Sequence, residues 1–228
     1  MLAYHRFDAT RPGPTTITLD VLHAQFAWLD AHHYRVVPLH EALAALPQVN
    51  HRYMACITVD DGHRSVYTHL FPLIRERGLP VTLFVYPSAI SNAHYALTWE
   101  QLREMRATGL VDVQSHTYWH PNFVAERLRR TTRDFQVFVD DQLRRSRQVI
   151  EKRLASHVDL LAWPYGYSDA ELQKAATNAG YVAAFAYGGG PLLPGDAAMA
   201  LPRIPVGQGD RGNSFGARLQ LRTPQRGE

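Results

Sequence analysis

The chain has 228 residues, 46% of them hydrophobic, which predicts a folded protein with a substantial core and excludes a disordered tail. Its net charge of +3 reflects a small excess of basic residues and gives little support to a nucleic-acid partner. The single cysteine, Cys56, excludes an internal disulfide and a cysteine-ligated metal site, and no apolar run approaches the ~18 residues of a membrane span.

Short apolar runs bounded by glycine, proline or polar residues predict strands throughout the chain. In chain order they are Leu2–Tyr4, Arg35–Val37, Ala55–Asp60, Val81–Tyr86, Val111–Gln114, Leu160–Ala162 and Val182–Tyr187. Helical patterns separate them, and this alternation predicts an α/β fold with a parallel sheet and helices outside it. Neither an internal repeat nor a low-complexity linker interrupts the pattern, so we expect a single domain over residues 1–228.

Capping residues and helical periodicity place the helices between these strands. The predicted helices and their signals are Leu19–His32 after Thr18, Ser65–Arg77 ending at Gly78, a helix begun by the capping box of Thr98 and Gln101, one long Arg-rich helix at Ala125–Ala155, and a helix that Ser168 and Glu171 cap and Gly180 stops. The arginines of the long helix are expected to form a solvated face and not a binding surface.

The side chains that carry chemistry are expected at the C-terminal ends of the strands, where parallel α/β folds gather their functional residues. Thr58–Gly62 ends one such strand with two adjacent aspartates, Asp60 and Asp61, and a glycine that allows a tight turn. Two like charges side by side are costly unless a cation compensates them, and a metal ion is the usual compensation. An ordinary Asp-Gly turn with a helix-capping aspartate is the alternative interpretation.

Two histidines follow the strand predicted at Val111–Gln114. His116 and His120 lie four positions apart, so we expect them on one face of a helical turn, a spacing that suits one metal ion. Two surface histidines are the alternative in a chain that has 12 of them. Together with Asp61 they would supply two nitrogens and one oxygen, and three protein ligands with a position left for water are typical of a catalytic metal.

Two further features stand at strand ends. Trp163–Gly166 mixes aromatic residues with proline and glycine, which predicts a rigid loop whose apolar face can pack on a sugar ring or an acetyl methyl. Core and turn packing is the alternative for that loop. His5 follows the first strand, and a lone histidine near a terminus indicates little by itself.

Taken together, the motifs resemble those of the polysaccharide deacetylases of carbohydrate esterase family four, from residue 2 to about residue 206. Thr58–Gly62 is similar to their Asp-Asp-Gly motif, and His116–Pro121 to their His-Ser/Thr-x-x-His-Pro motif. Trp163–Gly166 is similar to their third motif, and all three occur in the order and spacing of the family. The resemblance implies a distorted, incomplete (β/α) barrel of about seven parallel strands with outer helices.

Both ends of this region resemble one branch of the family, which includes bacterial N-deacetylases of the biofilm polymer poly-β-1,6-N-acetylglucosamine. The residues concerned are Tyr4-His5 at the start and Leu201–Ile204 near the end. In that branch the general-acid histidine comes from the first strand, which implies this role for His5. The chain departs from the family at Ala162, where many members carry the arginine that orients the catalytic aspartate. Arg203 is our candidate replacement, with a simple surface role as the alternative.

The resemblance implies a metal-dependent hydrolase that removes N-acetyl groups from a polysaccharide containing N-acetylglucosamine. One divalent ion, zinc in the first place with nickel, cobalt and iron as alternatives, would be held by Asp61, His116 and His120. Asp60 would act as general base and His5 as general acid. The residues expected to contact substrate are Trp119, Trp163, Pro164 and Tyr165, with a backbone N–H near Tyr165 at the oxyanion.

Several properties stay open at the level of sequence. The substrate could instead be chitin oligomers, peptidoglycan or acetylated xylan, and a catalytically silent glycan-binding domain on the same scaffold is the alternative from a different class. The expected partner is an N-acetylated polysaccharide or oligosaccharide, with no nucleic acid and no transmembrane segment; the oligomeric state is not predicted. No signal peptide is visible in the sequence. We expect the protein in the bacterial cell envelope, periplasmic or extracellular, if a signal lies outside this chain, and in the cytoplasm otherwise.

Overall fold

Seven parallel strands close into a barrel in the computed structural model, which describes residues 1–46 and 53–220. The strands of the described residues are β1 (Leu2–Tyr4), β2 (Arg6–Asp8), β3 (Thr16–Thr18), β4 (Arg35–Val36), β5 (Met54–Ala55), β6 (Ile57–Asp60), β7 (Val81–Val85), β8 (Val111–Ser115), β9 (Leu160–Ala162), β10 (Ala183–Gly189) and β11 (Leu201–Pro205). Seven of these strands form the barrel, in the order β1, β11, β10, β9, β8, β7 and β6, and β6 pairs with β1 to close it.

Helices surround the barrel. They are α1 (Leu19–Ala31), α2 (Leu39–Ala45), α3 (Phe71–Arg77), α4 (Trp99–Ala107), α5 (Phe123–Leu128), α6 (Thr132–Leu154), α7 (Ala170–Asn178) and α8 (Gly212–Gln220). This confirms the predicted α/β barrel of about seven parallel strands with outer helices. Within the described ranges, no helix combines the length and apolarity needed to cross a membrane.

The barrel is distorted at two of its seams. Strands β8 and β9 share a single paired position, Ser115 with Leu161, where neighbouring strands elsewhere share several. The register of β10 against β11 shifts twice, so that Gly188 and Gly189 both lie opposite Arg203. An extra residue of this kind is a β-bulge, which bends a strand and redirects its side chains.

The membership of the barrel corrects the sequence prediction at one strand. The run predicted at Arg35–Val37 forms β4, but β4 pairs with β5 in a separate two-stranded sheet. The remaining barrel strand is β11, which the strand pattern did not predict because it contains Pro202 and Pro205. Proline has no N–H to donate to a ladder, so it argues against a strand wherever a sequence is read alone.

Three helix predictions also need correction. The stretch Ala125–Ala155 is not one helix, because α5 ends at Leu128 and α6 begins only at Thr132. Thr131 caps α6 by accepting a hydrogen bond from the backbone N–H of Asp134. Helix α7 is capped by Asp169 and not by the predicted Ser168. A π-helical turn at residues 66–70 precedes α3, which ends at Gly78 as predicted. The capping box of Thr98 and Gln101 is confirmed.

The core has two layers because successive strand residues point to opposite faces. One buried cluster holds Phe84, Leu160, Ala162 and Phe185 and fills the barrel interior. The larger cluster holds the alternate strand residues, such as Leu83 and Leu161, and packs them against the helices. With both faces of the sheet covered, the polar side chains at the strand ends are left to line the mouth of the barrel.

Candidate active site

The C-terminal end of the barrel brings together six of the residues singled out in the sequence. They are His5 after β1, Asp60 at the end of β6, Asp61 directly after it, His116 and His120 after β8, and Arg203 within β11. Parallel strands all end on the same rim, so residues far apart in the chain become neighbours there. Strand β1 pairs with β6 in a register that sets Tyr4 beside Val59 and therefore His5 beside Asp60.

Asp61, His116 and His120 form a cluster whose ligand atoms lie within 4.8 Å of one another. The Asp61 Oδ1 atom is 3.7 Å from Nε2 of His116 and 3.7 Å from Nε2 of His120. In a tetrahedral site with bonds of 2.0–2.2 Å, ligand atoms would be about 3.4 Å apart, so only a small adjustment is needed. Two imidazole nitrogens and a carboxylate oxygen are a donor set that zinc and its neighbours accept, and the residues therefore fit a divalent ion.

The two histidines lie in a loop, which corrects the prediction of a helical turn. Thr117 and His120 both have φ of 64°, in the left-handed region, and Asp61 has φ of 71°. Left-handed residues fold the chain back on itself, and here they turn both imidazoles toward one point without helical geometry. The backbone N–H of His120 donates to Thr117 Oγ1 at 3.2 Å, which fixes the turn.

A hydrogen bond between the loop after β8 and strand β9 sets the orientation of His116. These are the two barrel strands that share a single paired position. The Nδ1 atom of His116 lies 2.7 Å from the backbone carbonyl of Ala162, so that Nδ1 carries the proton and Nε2 faces Asp61 with its lone pair free. His120 is also prepared to act as a ligand. Burial, together with the neighbouring His116, lowers the pKa of His120 to about 4, which leaves its ring neutral near pH 7.

Arg203 binds the carboxylate of Asp60, the residue next to Asp61 in the chain. Its guanidinium donates Nη1 to Oδ1 and Nη2 to Oδ2 of Asp60, each at 2.7 Å, and also bonds the Ala186 carbonyl and the Thr58 hydroxyl. Burial alone would raise the pKa of Asp60, but Arg203, with His116 and His5, outweighs it and holds that pKa well below the usual range. Asp60 is therefore ionised near neutral pH.

His5 lies beside Asp60, in the loop that follows β1. Its Nε2 is 4.0 Å from Asp60 Oδ2, and its side chain is 15% exposed. Burial lowers the pKa of His5, and the carboxylates of Asp60 and Asp61 offset part of that effect. The imidazole is thus close to a carboxylate and to the mouth of the barrel, as a proton donor to a bound molecule must be.

The residues expected to contact a sugar differ in their exposure. Tyr165 is 66% exposed, has a φ of 57°, and places its ring 4.8 Å from that of His120. Trp119 is 41% exposed on the same rim. Trp163 is fully buried, with its indole N–H donating to the Met199 carbonyl, and Pro164 is buried as well. Both side chains are buried in this structure, and their expected contacts with substrate stay a prediction.

Two aromatic residues at the site were not singled out in the sequence. Tyr86 follows β7, with its ring 5.5 Å from that of His120 and its hydroxyl 2.9 Å from the hydroxyl of Tyr95. Tyr187 lies near the end of β10, edge-on to His5 with ring centroids 5.2 Å apart. Both close a predicted strand at its C-terminal end, so the rule that located the aspartates and histidines could have found them as well.

The chain matches known proteins over most of its length. A sequence profile described as "Polysaccharide deacetylase" matches residues 48–184. The YxkH protein of Bacillus subtilis is 27% identical over 199 residues, which cover 86% of this chain and 68% of that protein. The poly-β-1,6-N-acetyl-D-glucosamine N-deacetylase of Staphylococcus epidermidis is 24% identical over 196 residues, 84% of this chain and 68% of that enzyme. The solved structure of IcaB from Ammonifex degensii is 25% identical, with a TM-score of 0.82 over 96% of both chains.

Proposed function

The chain belongs to the polysaccharide deacetylase family, and we propose that it hydrolyses the N-acetyl groups of a β-1,6-linked N-acetylglucosamine polymer with one divalent ion. As a family member it is a hydrolase that acts on acetylated polysaccharide. The observation that carries the proposal is the Asp60 carboxylate, set between Arg203 and His5 and next to the Asp61–His116–His120 cluster. Every group that amide hydrolysis requires is then within one cleft.

The choice of polymer rests on the relatives. The Staphylococcus epidermidis enzyme named for poly-β-1,6-N-acetyl-D-glucosamine aligns with 84% of this chain. The exposed rings of Tyr165 and Trp119 at the rim are suited to stack on sugar rings, whose C–H faces are apolar. These observations favour an extended N-acetylglucosamine polymer over a small acetylated molecule.

Asp61, His116 and His120 would hold the divalent ion, with zinc as the first choice and nickel, cobalt or iron as alternatives. Bound there, the ion would polarise the acetyl carbonyl and make a water molecule more acidic. The bond from His116 Nδ1 to the Ala162 carbonyl keeps the correct nitrogen aimed at the ion. The neutral state of His120 removes the need to expel a proton before binding.

Asp60 acts as the general base in this proposal. It is kept ionised by Arg203, which also fixes the plane of the carboxylate, and it accepts the proton of the attacking water. A carboxylate with so low a pKa is a weak base in isolation. Proton transfer to Asp60 therefore has to coincide with attack on the carbonyl, and positioning contributes more than basicity.

His5 acts as the general acid. Expulsion of the sugar nitrogen without a proton would release an amide anion, so protonated His5 donates to that nitrogen as the C–N bond breaks. One water is consumed, and acetate and a free amine are released. The backbone N–H of Tyr165, whose residue packs on His120, is the candidate donor to the oxyanion. Each of these roles is assigned to a residue of this chain that lies at the barrel mouth.

The test is an assay of the full chain on a panel of acetylated polymers, with and without added zinc, cobalt or nickel. We expect metal-dependent release of free amine from β-1,6-linked N-acetylglucosamine oligomers. Asp60→Asn should retain the bound metal and lose ~10²–10⁴-fold in turnover, because the base is removed and the ligands remain. Faster turnover of chitin oligomers, peptidoglycan or acetylated xylan would overturn the choice of polymer, and binding of every glycan without turnover would point to a silent binding domain.

A further inference from the structure

We propose that Tyr187 is a positioning residue for His5, because its ring fixes the His5 imidazole beside Asp60 and covers it from water. The inference rests on the proposed function, since it concerns the histidine that protonates the departing amine. The two rings meet edge to face, with centroids 5.2 Å apart and an interplanar angle of 88°. This edge-to-face geometry is a favoured arrangement for aromatic rings.

Strand β10 delivers Tyr187 to this place. Phe185, two residues earlier, packs on Phe84 inside the barrel, and the first register shift of β10 against β11 falls between Phe185 and Gly188, in the stretch that contains Tyr187. Phe185 is fully buried whereas Tyr187 is 39% exposed, which sets Tyr187 at the mouth of the barrel, one layer above the core. The second register shift, between Gly188 and Gly189, comes directly afterwards, so Tyr187 lies in a bulged part of β10, where a strand bends and redirects its side chains.

The backbone of Tyr187 is held on two sides. The carbonyl of the preceding residue, Ala186, accepts a hydrogen bond from Arg203 Nε at 2.9 Å, and the same guanidinium grips Asp60. On the other side Gly166, with φ of +71°, packs so closely that a Cβ added there would lie 2.4 Å from the Tyr187 nitrogen and 2.6 Å from its Cβ. The ring of Tyr187 is therefore carried by backbone that is fixed relative to Asp60.

A general acid needs this kind of support. The His5 Nε2 is 4.0 Å from Asp60 Oδ2, and His5 follows a strand of only three residues. A misplacement of about 1 Å at a reacting group can cost ~10²-fold in rate. The ring of Tyr187 restricts the rotation of the imidazole and reduces its contact with water, and neither effect requires the phenolic hydroxyl.

The kinetic test compares Tyr187→Phe with Tyr187→Leu on two substrates, an N-acetylated sugar oligomer and an activated aryl acetate. Tyr187→Phe should stay within about twofold of the wild type on both, because the ring is kept. Tyr187→Leu should lower kcat for the amide at least about tenfold with little change in KM, and should affect the aryl ester much less, since its leaving group needs no proton.

Three kinetic results would overturn the proposal. Equal losses on amide and ester would show that Tyr187 does not act through the proton donor. A raised KM with unchanged kcat would make Tyr187 a sugar contact. A loss in Tyr187→Phe as large as that in Tyr187→Leu would assign the effect to the hydroxyl. Thermal melting of both variants checks that the barrel still folds. Leucine is chosen because it is apolar and leaves a smaller cavity than alanine would.

A second measurement does not depend on turnover. The groups that face His5 from the surrounding elements are Asp60, Asp61, His116 and Arg203, with Tyr187 covering it. An NMR titration of the His5 imidazole in the full chain, with and without added zinc, reports its pKa directly. Burial lowers the pKa of His5, so Tyr187→Leu should raise it, whereas Tyr187→Phe should leave it unchanged.

An unchanged His5 pKa in Tyr187→Leu would contradict the proposed cover. Should the wild type release no amine from any acetylated polymer, the proposed function fails, while this titration still decides whether Tyr187 positions His5. The two failures are therefore distinguishable.

Discussion

Arg203 grips the Asp60 carboxylate through two parallel hydrogen bonds of 2.7 Å, although 143 positions separate the two residues in the chain. The side chains are 0% and 3% exposed, so each charge has lost nearly all of its hydration. A planar guanidinium matches both oxygens of a carboxylate at once, which no lysine could do. The pair therefore determines the ionisation and the orientation of Asp60 and also fastens β11 to the barrel.

We predict that Arg203→Met lowers the free energy of unfolding at pH 7 by about 3–5 kcal/mol, because it leaves the buried charge of Asp60 without a partner. The folded-state pKa of Asp60 is lowered, so the stabilisation from this pair is present above the unfolded pKa of about 3.9 and is lost as the pH falls. Denaturant unfolding of Arg203→Met, Asp60→Asn and the double variant measures the coupling. Strictly additive losses would show that the pair contributes nothing jointly.

The position of Arg203 also shows where prediction from sequence stops. Asp60, Asp61 and His116 could be placed together because each directly follows or ends a recognisable strand, and parallel strands end on one rim. The strand that carries Arg203 could not be predicted in this way, since its two prolines conceal it. Arg203 was identified through the resemblance, from the departure at Ala162 and the similarity of Leu201–Ile204, and not from a strand pattern.

Loop conformation and side-chain burial also limited what could be predicted from the sequence. A spacing of four residues is compatible with a helical turn, but the left-handed conformations of Thr117 and His120 bring the imidazoles together in a loop. Such conformations are set by tertiary contacts that a local pattern does not contain. For the same reason Trp163, in a motif that suggests an aromatic surface, is fully buried beneath Tyr165. The sequence could predict which residues meet at the mouth of the barrel, but not the direction in which each side chain points.

We predict that His120→Ala weakens zinc binding by at least ~100-fold, because it removes a ligand and not merely a supporting contact. Competition with a chromogenic chelator measures the affinity. His23→Ala, at an exposed position on α1, is the matched control and should bind zinc as the wild type does. Zinc at 100 times its wild-type dissociation constant should stabilise the wild type by about 2.7 kcal/mol; at the same zinc concentration the gain should fall to about 0.4 kcal/mol or less in His120→Ala, and it should vanish after chelation. An unaltered zinc affinity in His120→Ala would remove it from the site.

We predict that His5→Gln lowers kcat for N-acetylated oligomers by ~10²–10⁴-fold while zinc affinity is unchanged, because a proton donor is lost and the ligands are not. The loss should shrink for an activated aryl acetate, whose leaving group departs as a stable anion. Comparison of the two rate ratios measures the effect. Equal losses on both substrates would mean that His5 acts on binding or folding and does not protonate the amine.

At the opposite end of the barrel, His40 on α2 forms a pH-dependent ion pair with Asp159, the residue directly before β9. The His40 Nε2 atom is 2.8 Å from Asp159 Oδ1, and its Nδ1 is 3.7 Å from Asp112 Oδ2. His157 faces the other oxygen of Asp159 at 3.7 Å. The hydrogen bond to Asp159 raises the pKa of His40, and the same bond lowers the pKa of Asp159.

We predict that His40→Gln destabilises the protein near pH 5.5 and has little effect near pH 9. A raised folded-state pKa on His40 stabilises the fold below the ordinary histidine pKa of about 6.5, and this stabilisation is lost as the pH rises through the folded-state value. The Asp159 carboxylate must also be ionised, so the stabilisation is lost again at strongly acidic pH. Because the His40 side chain is 48% exposed, solvent screening limits the effect to about 1 kcal/mol at most. Denaturant unfolding at the two pH values, with His23→Gln as the control, measures it, and an equal loss at both would contradict an ion pair.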